Sequence, residues 1–234
     1  MRVAVIPARG GSKRIPRKNV REFCGRPLIA YSIAAALDSG AFDRVLVSTE
    51  DEEIGTVARS YGAEVPFLRP AQLADDHTPS MSVVKHAIER LRFAGAEVTY
   101  ACQVYPTAPL LAPELLAEGF RRLVESGASF ALGVTSFPFP IQRALRIGDA
   151  FRIEAFWPEF AAARSQDLEP AFHDAGQFCW GTAEAFEELR PVYSDSTAAV
   201  RIPRHLVQDI DTEEDWRRVE LMYRTMRSGE RDGL

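Results

Sequence analysis

Two stretches of this chain hold residue types whose spacing could support chemistry. The first, residues 6–19, reads Ile-Pro-Ala-Arg-Gly-Gly-Ser-Lys-Arg-Ile-Pro-Arg-Lys-Asn. From Arg9 to Arg26 stand seven basic residues (Arg9, Lys13, Arg14, Arg17, Lys18, Arg21 and Arg26) against one acid, Glu22, a local balance of +6 in a chain whose net charge is −5. Gly10 and Gly11 permit close approach of the backbone to a ligand, so successive N–H groups can converge on an anion. Such a loop suits a polyphosphate; a solvated surface turn is the plainer alternative. It is not a Walker loop, because Gly10-Gly11-Ser12-Lys13 lacks the earlier glycine, and the chain has no G-x-G-x-x-G fingerprint. The second stretch holds Asp209 and Asp211, two positions apart, so an extended backbone turns both carboxylates to one face. A hard cation such as Mg²⁺ takes one or two carboxylates together with waters and phosphate oxygens. The same pair would also favour the dipole of a following helix, and spacing alone leaves both readings open.

The elements around these residues alternate. A short apolar run at 3–6 reads as a strand, and the basic loop carries it to a helix that starts near Pro27 and stops at Asp38-Ser39-Gly40. Strand signal follows at 45–47, a helix at 51–61, and a third apolar run at 65–68. The segment 69–79 is polar and holds two prolines, which reads as a loop on the ligand-facing edge. Met81, Val84, Ile88 and Leu91 then recur at helical spacing as core contacts. A strand at 100–105, a helix at 113–125 and a strand at 130–135 continue the series. Alternation of this kind predicts an α/β fold, a mainly parallel sheet with helices on both faces. From Phe137 the pattern breaks, with Pro138, Pro140 and a strand-like run at 151–157 outside the βα series, and an insert accounts for it. Its aromatic residues pack internally or form an apolar patch for another subunit. Strand signal resumes at 177–180, a short helix at 182–189 follows, and apolar runs at 199–202 and 206–210 lead to a final helix capped by Thr212 with Asp215 three residues on. Residues 228–234 read as a frayed tail.

Composition bounds the function classes. The 234 residues can bury a sizeable core, and 46% hydrophobic with 26% charged content is ordinary for a globular protein. A pI near 5.5 argues against nucleic acid as the main partner. Cys24, Cys102 and Cys179 form no C-x-x-C pair, which disfavours a disulfide framework or structural zinc and fits a reducing cytoplasm. Four apolar residues before Pro7 are too few for a signal-peptide core, and no run reaches membrane-span length. The expectation is a cytoplasmic enzyme with no membrane attachment.

The basic stretch resembles the signature of the cytidylyltransferases that activate nine-carbon acidic sugars, the CMP-sialic acid synthetase family, and the resemblance runs to the last helix. Phe137-Pro138-Phe139-Pro140-Ile141-Gln142-Arg143, Arg164-Ser165-Gln166-Asp167 and His173-Asp174-Ala175-Gly176-Gln177-Phe178 are most similar to the branch that acts on pseudaminic acid. The resemblance implies a Rossmann-like domain spanning 1–234 with an inserted dimerisation arm at about 137–175, hence a homodimer, and it implies Mg²⁺ on Asp209 and Asp211. It places nucleotide contacts at Ala8, Arg9, Gly10, Gly11, Ser12, Lys13, Lys18, Asn19 and Arg69, with Lys13, Asp209 and Asp211 in catalysis. Tyr105 stands where sialic acid synthetases have glutamine before Pro-Thr, a departure from the sialic acid pocket. Tyr105, Gln142, Arg143, Arg164, His173, Asp174 and Gln177 are then the candidates for the sugar, although His173 also suits a structural role. The implied reaction is transfer of CMP from CTP to a nonulosonic acid, pseudaminic acid first, with release of pyrophosphate. A sialic acid or other ulosonic acid substrate, and a catalytically silent nucleotide-binding regulator, are the alternatives.

Overall fold

The computed structural model describes residues 1–75 and 78–232. In chain order the elements are β1 (Arg2–Pro7), β2 (Glu22–Phe23), β3 (Arg26–Pro27), α1 (Leu28–Asp38), β4 (Arg44–Ser48), α2 (Glu52–Ser60), α3 (Ser80–Phe93), β5 (Tyr100–Val104), α4 (Pro113–Ser126) and β6 (Phe130–Ser136). After them come β7 (Leu145–Ile147), β8 (Ile153–Ala155), β9 (Phe172–Thr182), α5 (Ala183–Glu187), β10 (Thr197–Arg201) and α6 (Glu213–Asp232).

Six strands form one sheet in the order β10-β6-β9-β5-β1-β4. β1 is parallel to β4 and β5, and β6 is parallel to β10, while β9 runs antiparallel between β5 and β6. The expected mainly parallel sheet is therefore present, with one reversed strand at its centre. Both faces are covered, and β1 shows how: Ala4 and Ile6 point into a core with Ile29 and Ile33 of α1, Ile54 of α2 and Leu116 of α4, whereas Val3 and Val5 point into a core with Val84 and Ile88 of α3 and Phe186 of α5. The period-2 alternation of a strand buried on both faces turns a continuous apolar run into two layers. A third cluster joins Ile15 of the basic loop to Phe23, Leu28, Tyr31, Ile210, Trp216 and Val219, so the loop and the final helix share one core.

Four local expectations change. Residues 65–68 form no strand: Glu64 makes one parallel bridge to Leu46, and Pro66 has no N–H with which to extend the ladder along the edge strand β4. β9 is 11 residues long rather than four, because its polar first half still pairs with β6 across a register shift near Leu132 and Val134, beside Gly176 at φ 62°. It begins at Phe172, inside the limits expected for the insert. Residues 206–210 are irregular, and α6 continues through Ser228 to Asp232 instead of fraying, with Gly233 and Leu234 outside the described residues. The expected cap of α6 forms as a reciprocal pair: Thr212 Oγ1 accepts the Asp215 N–H at 3.2 Å and Asp215 Oδ2 accepts the Thr212 N–H at 2.8 Å. Outside the main sheet, β7 and β8 form an antiparallel ribbon whose Ile147 and Ile153 are 74% and 68% exposed. Among the described residues no helix is long and apolar enough to cross a membrane.

Candidate active site

The chain leaves β1 toward β4 on one side and later returns to β5 on the other, so the carboxyl ends of β1 and β5 flank a topological switch point, where open α/β sheets form ligand crevices. A cleft of about 600 Å³ lies there, lined by Pro7, Arg9, Ser12, Lys13, Arg14, Lys18 and Asn19 from the first loop, Tyr105, Pro106 and Thr107 from the second, and Asp209 and Asp211. The two stretches that sequence singled out, nearly 200 positions apart, meet in one concavity. A hollow of about 550 Å³ near Arg26, Tyr31 and Arg224 lies elsewhere and brings no carboxylate.

The basic loop is held by its own side chains. Ile15 is fully buried in the third core, so the chain between Arg14 and Arg17 is pinned at its middle. Asn19 donates Nδ2 to the Arg9 carbonyl at 2.9 Å, closing the loop across its base, and the Asn19 carbonyl accepts the Ile29 N–H from the first turn of α1. Asn19 lines the cleft, and its Oδ1 is buried and has no partner among the described residues. Gly10 has a steric reason: a Cβ there would stand 2.4 Å from Asp51 Oδ2.

Acids from distant segments meet the loop. Arg14 Nη2 reaches Asp211 Oδ1 at 2.8 Å and Lys18 Nζ lies 3.7 Å from the same oxygen. Lys18 also donates to the Ile210 carbonyl at 2.5 Å, tying the loop to the strap that carries the aspartates. Arg17 turns the other way and pairs with Asp51 at 2.5 Å and with Glu53. Although Asp209 has exposed surface, the cleft wall crowds its carboxyl. That loss of solvation, reinforced by the Asp211 charge, raises its pKa above the usual carboxylate range, opposed by the Ile210 N–H and Lys18. Desolvation likewise lowers the Lys18 ammonium, opposed mainly by Asp211 and then Asp209. Among the described residues no three His, Cys, Asp or Glu side chains cluster as a metal cage. Two carboxylates facing a basic pocket are instead the donor set with which Mg²⁺ is held when phosphates and waters complete its shell.

Ala8 begins the loop, its N–H bonded to the Ser48 carbonyl at 3.0 Å; Ala8, Gly10 and Gly11 are not among the residues that line the cleft. Arg69 stands outside the lining: its side chain is 3% exposed and its Nη2 donates to Glu50 Oε2 at 2.6 Å. Tyr105, on the cleft wall, has its phenol pKa raised by burial first and by the Asp174 charge next. Its N–H bonds to the Gln177 carbonyl at 2.9 Å, which sets Tyr105, Asp174 and Gln177 side by side. Gln177 donates to the Leu206 carbonyl, leaving Oε1 buried without a partner among the described residues, and His173 packs against Phe137 with ring centroids 4.7 Å apart. His173, Asp174 and Gln177 lie on β9 outside the cleft lining, and Gln142, Arg143 and Arg164 are not brought to the cleft either; they bond within the insert to the Glu169 carbonyl, Ser165 and Asp167. Sequence reasoning missed Glu50, Asp51, Arg14 and Thr107. Asp51 carried a signal, a helix N-cap after a strand, which it is: its Oδ1 accepts from the Glu53 and Ile54 N–H groups. Glu50 carried none, because its partners lie 40 and 19 positions away.

Comparison with known proteins places this geometry. The chain is 42% identical over 222 residues to pseudaminic acid cytidylyltransferase of Campylobacter jejuni, covering 95% of this chain and 96% of that one. It is 32% identical to CMP-N,N'-diacetyllegionaminic acid synthase of Legionella pneumophila, with 92% of both chains covered. In three dimensions it matches CMP:2-keto-3-deoxy-manno-octonic acid synthetase in complex with CTP at a TM-score of 0.70, covering 96% of this chain and 99% of that one; at 15% identity this likeness speaks for the fold. A sequence model of the cytidylyltransferases matches residues 3–140, the span that holds both loops of the cleft. A relative this similar along nearly its whole length, and a match that contains the basic loop, put the chain in the cytidylyltransferase family.

Proposed function

We propose that this chain transfers CMP from CTP to pseudaminic acid, giving the CMP-sugar and pyrophosphate. The observation that carries the reading is the meeting of the basic loop, the Asp209–Asp211 pair and Tyr105 in one cleft. The anomeric hydroxyl of the sugar attacks the α-phosphorus and releases its proton to water, the bond to the bridging oxygen breaks, and pyrophosphate departs with the negative charge. Lys13 and Arg9 face that charge, and the Ser12 hydroxyl with the loop N–H groups donates to phosphate oxygens. Lys18 holds the aspartate strap against the loop, so the two halves of the site keep their spacing. Asp209 and Asp211 fit Mg²⁺, which when bound supplies Lewis-acid neutralisation of phosphate charge. Catalysis of this kind is mostly positioning and electrostatics.

We assign the sugar to the side of the cleft lined by Tyr105, with His173, Asp174 and Gln177 on the adjoining strand β9 as its further candidates. We further read the chain as one nucleotidyltransferase domain with an arm at about 137–175 that carries Gln142, Arg143 and Arg164 and packs against a second copy, making a cytoplasmic homodimer. The support is the apolar surface of the arm, with Phe139, Ile147, Phe151 and Ile153 all more than 60% exposed. Similarity to a legionaminic acid enzyme gives a second reading, another nonulosonic acid. Against N-acetylneuraminic acid, Tyr105 supports the reading: a wall that offers a ring in place of an amide leaves a polar glycerol tail unpaired and accepts a deoxy carbon. Pyrophosphate release under matched conditions should favour pseudaminic acid over N-acetylneuraminic acid by at least about a hundredfold in kcat/KM, roughly 3 kcal/mol. Equal or greater efficiency with N-acetylneuraminic acid would refute the assignment.

A further inference from the structure

Behind the basic loop lies a contact that the reaction as described does not use. Glu50, at the end of β4, accepts the Gly10 N–H on Oε1 at 2.8 Å and the Arg69 guanidinium on Oε2 at 2.6 Å. The Arg69 side chain is 3% exposed, its backbone N–H is fixed to the Thr49 carbonyl at 2.8 Å, and its Nε has no partner among the described residues. A guanidinium sealed in this way is costly unless its pairing is good, and here the pairing oxygen belongs to a carboxylate whose second oxygen holds the ligand loop. The next residue works in parallel: Asp51 caps α2 and pairs with Arg17, and its carboxylate fills the space in which a Gly10 side chain would sit.

From this geometry we infer that Glu50, backed by Arg69, is a positioning residue that sets the basic loop for catalysis. Two consequences follow. The Gly10 N–H is already committed to Glu50, so the phosphate-facing donors of the loop begin at Gly11. A negative carboxylate beside an anion-binding loop would repel its ligand, and the buried Arg69 charge offsets that repulsion from behind. The inference rests on the reading that the loop holds the triphosphate, and Lys13→Ala tests that reading separately.

Glu50→Gln keeps the shape but can satisfy only one partner, since its amide nitrogen must face either the Gly10 N–H or the Arg69 guanidinium, a donor against a donor. Misplacing the loop costs charge stabilisation at the departing phosphate more than ground-state binding, and a displacement of about 1 Å can cost around a hundredfold. The assay is steady-state pyrophosphate release for the parent and Glu50→Gln, with melting temperatures measured on the same samples. The expected result is a kcat lowered about 10- to 100-fold in Glu50→Gln with KM for CTP changed less than about threefold and a melting temperature within about 4 °C of the parent. Unchanged kcat in folded Glu50→Gln overturns the inference. So does a variant that fails to fold, which would make the pair a stability element. If Lys13→Ala retains full activity, the triphosphate reading itself fails; if Lys13→Ala is inactive while Glu50→Gln is normal, only the positioning role falls.

Discussion

Ile15 offers a test of how stability and catalysis are coupled in this fold. It is the one fully buried apolar side chain in the middle of the basic loop, packed with Phe23, Leu28, Tyr31, Leu110, Ile210, Trp216 and Val219. Ile15→Ala removes three carbons from a site that α1 and α6 keep from collapsing, so a loss of about 2–5 kcal/mol is expected. For a chain of this size each kcal/mol lowers Tm by about 2–4 °C, which gives a drop of roughly 4–20 °C; Ile15→Val, at about 0.5–1.5 kcal/mol, should cost no more than about 6 °C. Because the anchor lies between Arg14 and Arg17, part of the loss falls on the loop itself, and CTP must then reorder it on binding. If about 1.4 kcal/mol falls there, KM for CTP rises about tenfold in Ile15→Ala. Thermal unfolding and pyrophosphate-release kinetics on parent, Val and Ala variants separate the two effects. A large fall in Tm with KM and kcat for CTP unchanged at 25 °C would show that the loop is placed without its anchor and would refute the reasoning.

Three further outcomes follow from the same geometry. Asp209→Asn and Asp211→Asn should each lower turnover at least about a hundredfold and weaken its Mg²⁺ dependence, while the exposed Arg14–Asp211 pair limits the stability loss to about 1 kcal/mol; a stability loss with activity intact would favour the helix-dipole role. Gly10→Ala should lower both Tm and the affinity for CTP, because its Cβ meets Asp51 Oδ2 at 2.4 Å, whereas Gly11→Ala, with open space around it, should leave Tm unchanged; the reverse order in calorimetry would contradict the packing. The Arg17 hydrogen bond, with help from the Ile54 and Glu53 N–H groups, holds the Asp51 carboxyl below its usual range against the opposing effect of burial. Its contribution is therefore present above the unfolded value near pH ~4 and is lost as pH falls through the folded value, so Asp51→Asn should flatten the acid limb of a Tm-against-pH curve; an unchanged limb would refute the pair.

What sequence could read was what is local. The alternation of β1, α1, β4, α2, α3, β5, α4 and β6 follows from apolar period and punctuation, and the Thr212–Asp215 cap from a four-residue pattern. What it misread depended on pairing between distant segments. Residues 65–68 have strand-like composition, but their fate was set by Pro66 beside an edge strand. The first half of β9, Phe-His-Asp-Ala-Gly-Gln, looks like loop and is strand because β6 supplies its partners. At the site, the glycines and the aspartate pair were visible, whereas Glu50 and the confinement of Gln142, Arg143 and Arg164 to the insert were not.

The charge of the loop shows why such contacts matter to function. Counted along the chain, residues 9–26 carry +6, which suggests a strong anion trap. In the fold, Arg17 is spent on Asp51 and Glu53, Arg21 on Glu213, and Arg14 and Lys18 on Asp211, so these four cations face acids brought from residues 51–53 and 211–213. This pairing relieves self-repulsion in a loop that must hold its shape before any phosphate arrives, and it divides the cations by task. Arg17 and Arg21 fix the outside of the loop. Arg14 and Lys18 set its distance from the aspartates, and Arg9 and Lys13 line the cleft. The electrostatic work of the site is therefore done by a few cations held in place, since a preorganised charge stabilises a transition state without having to reorganise as the reaction proceeds.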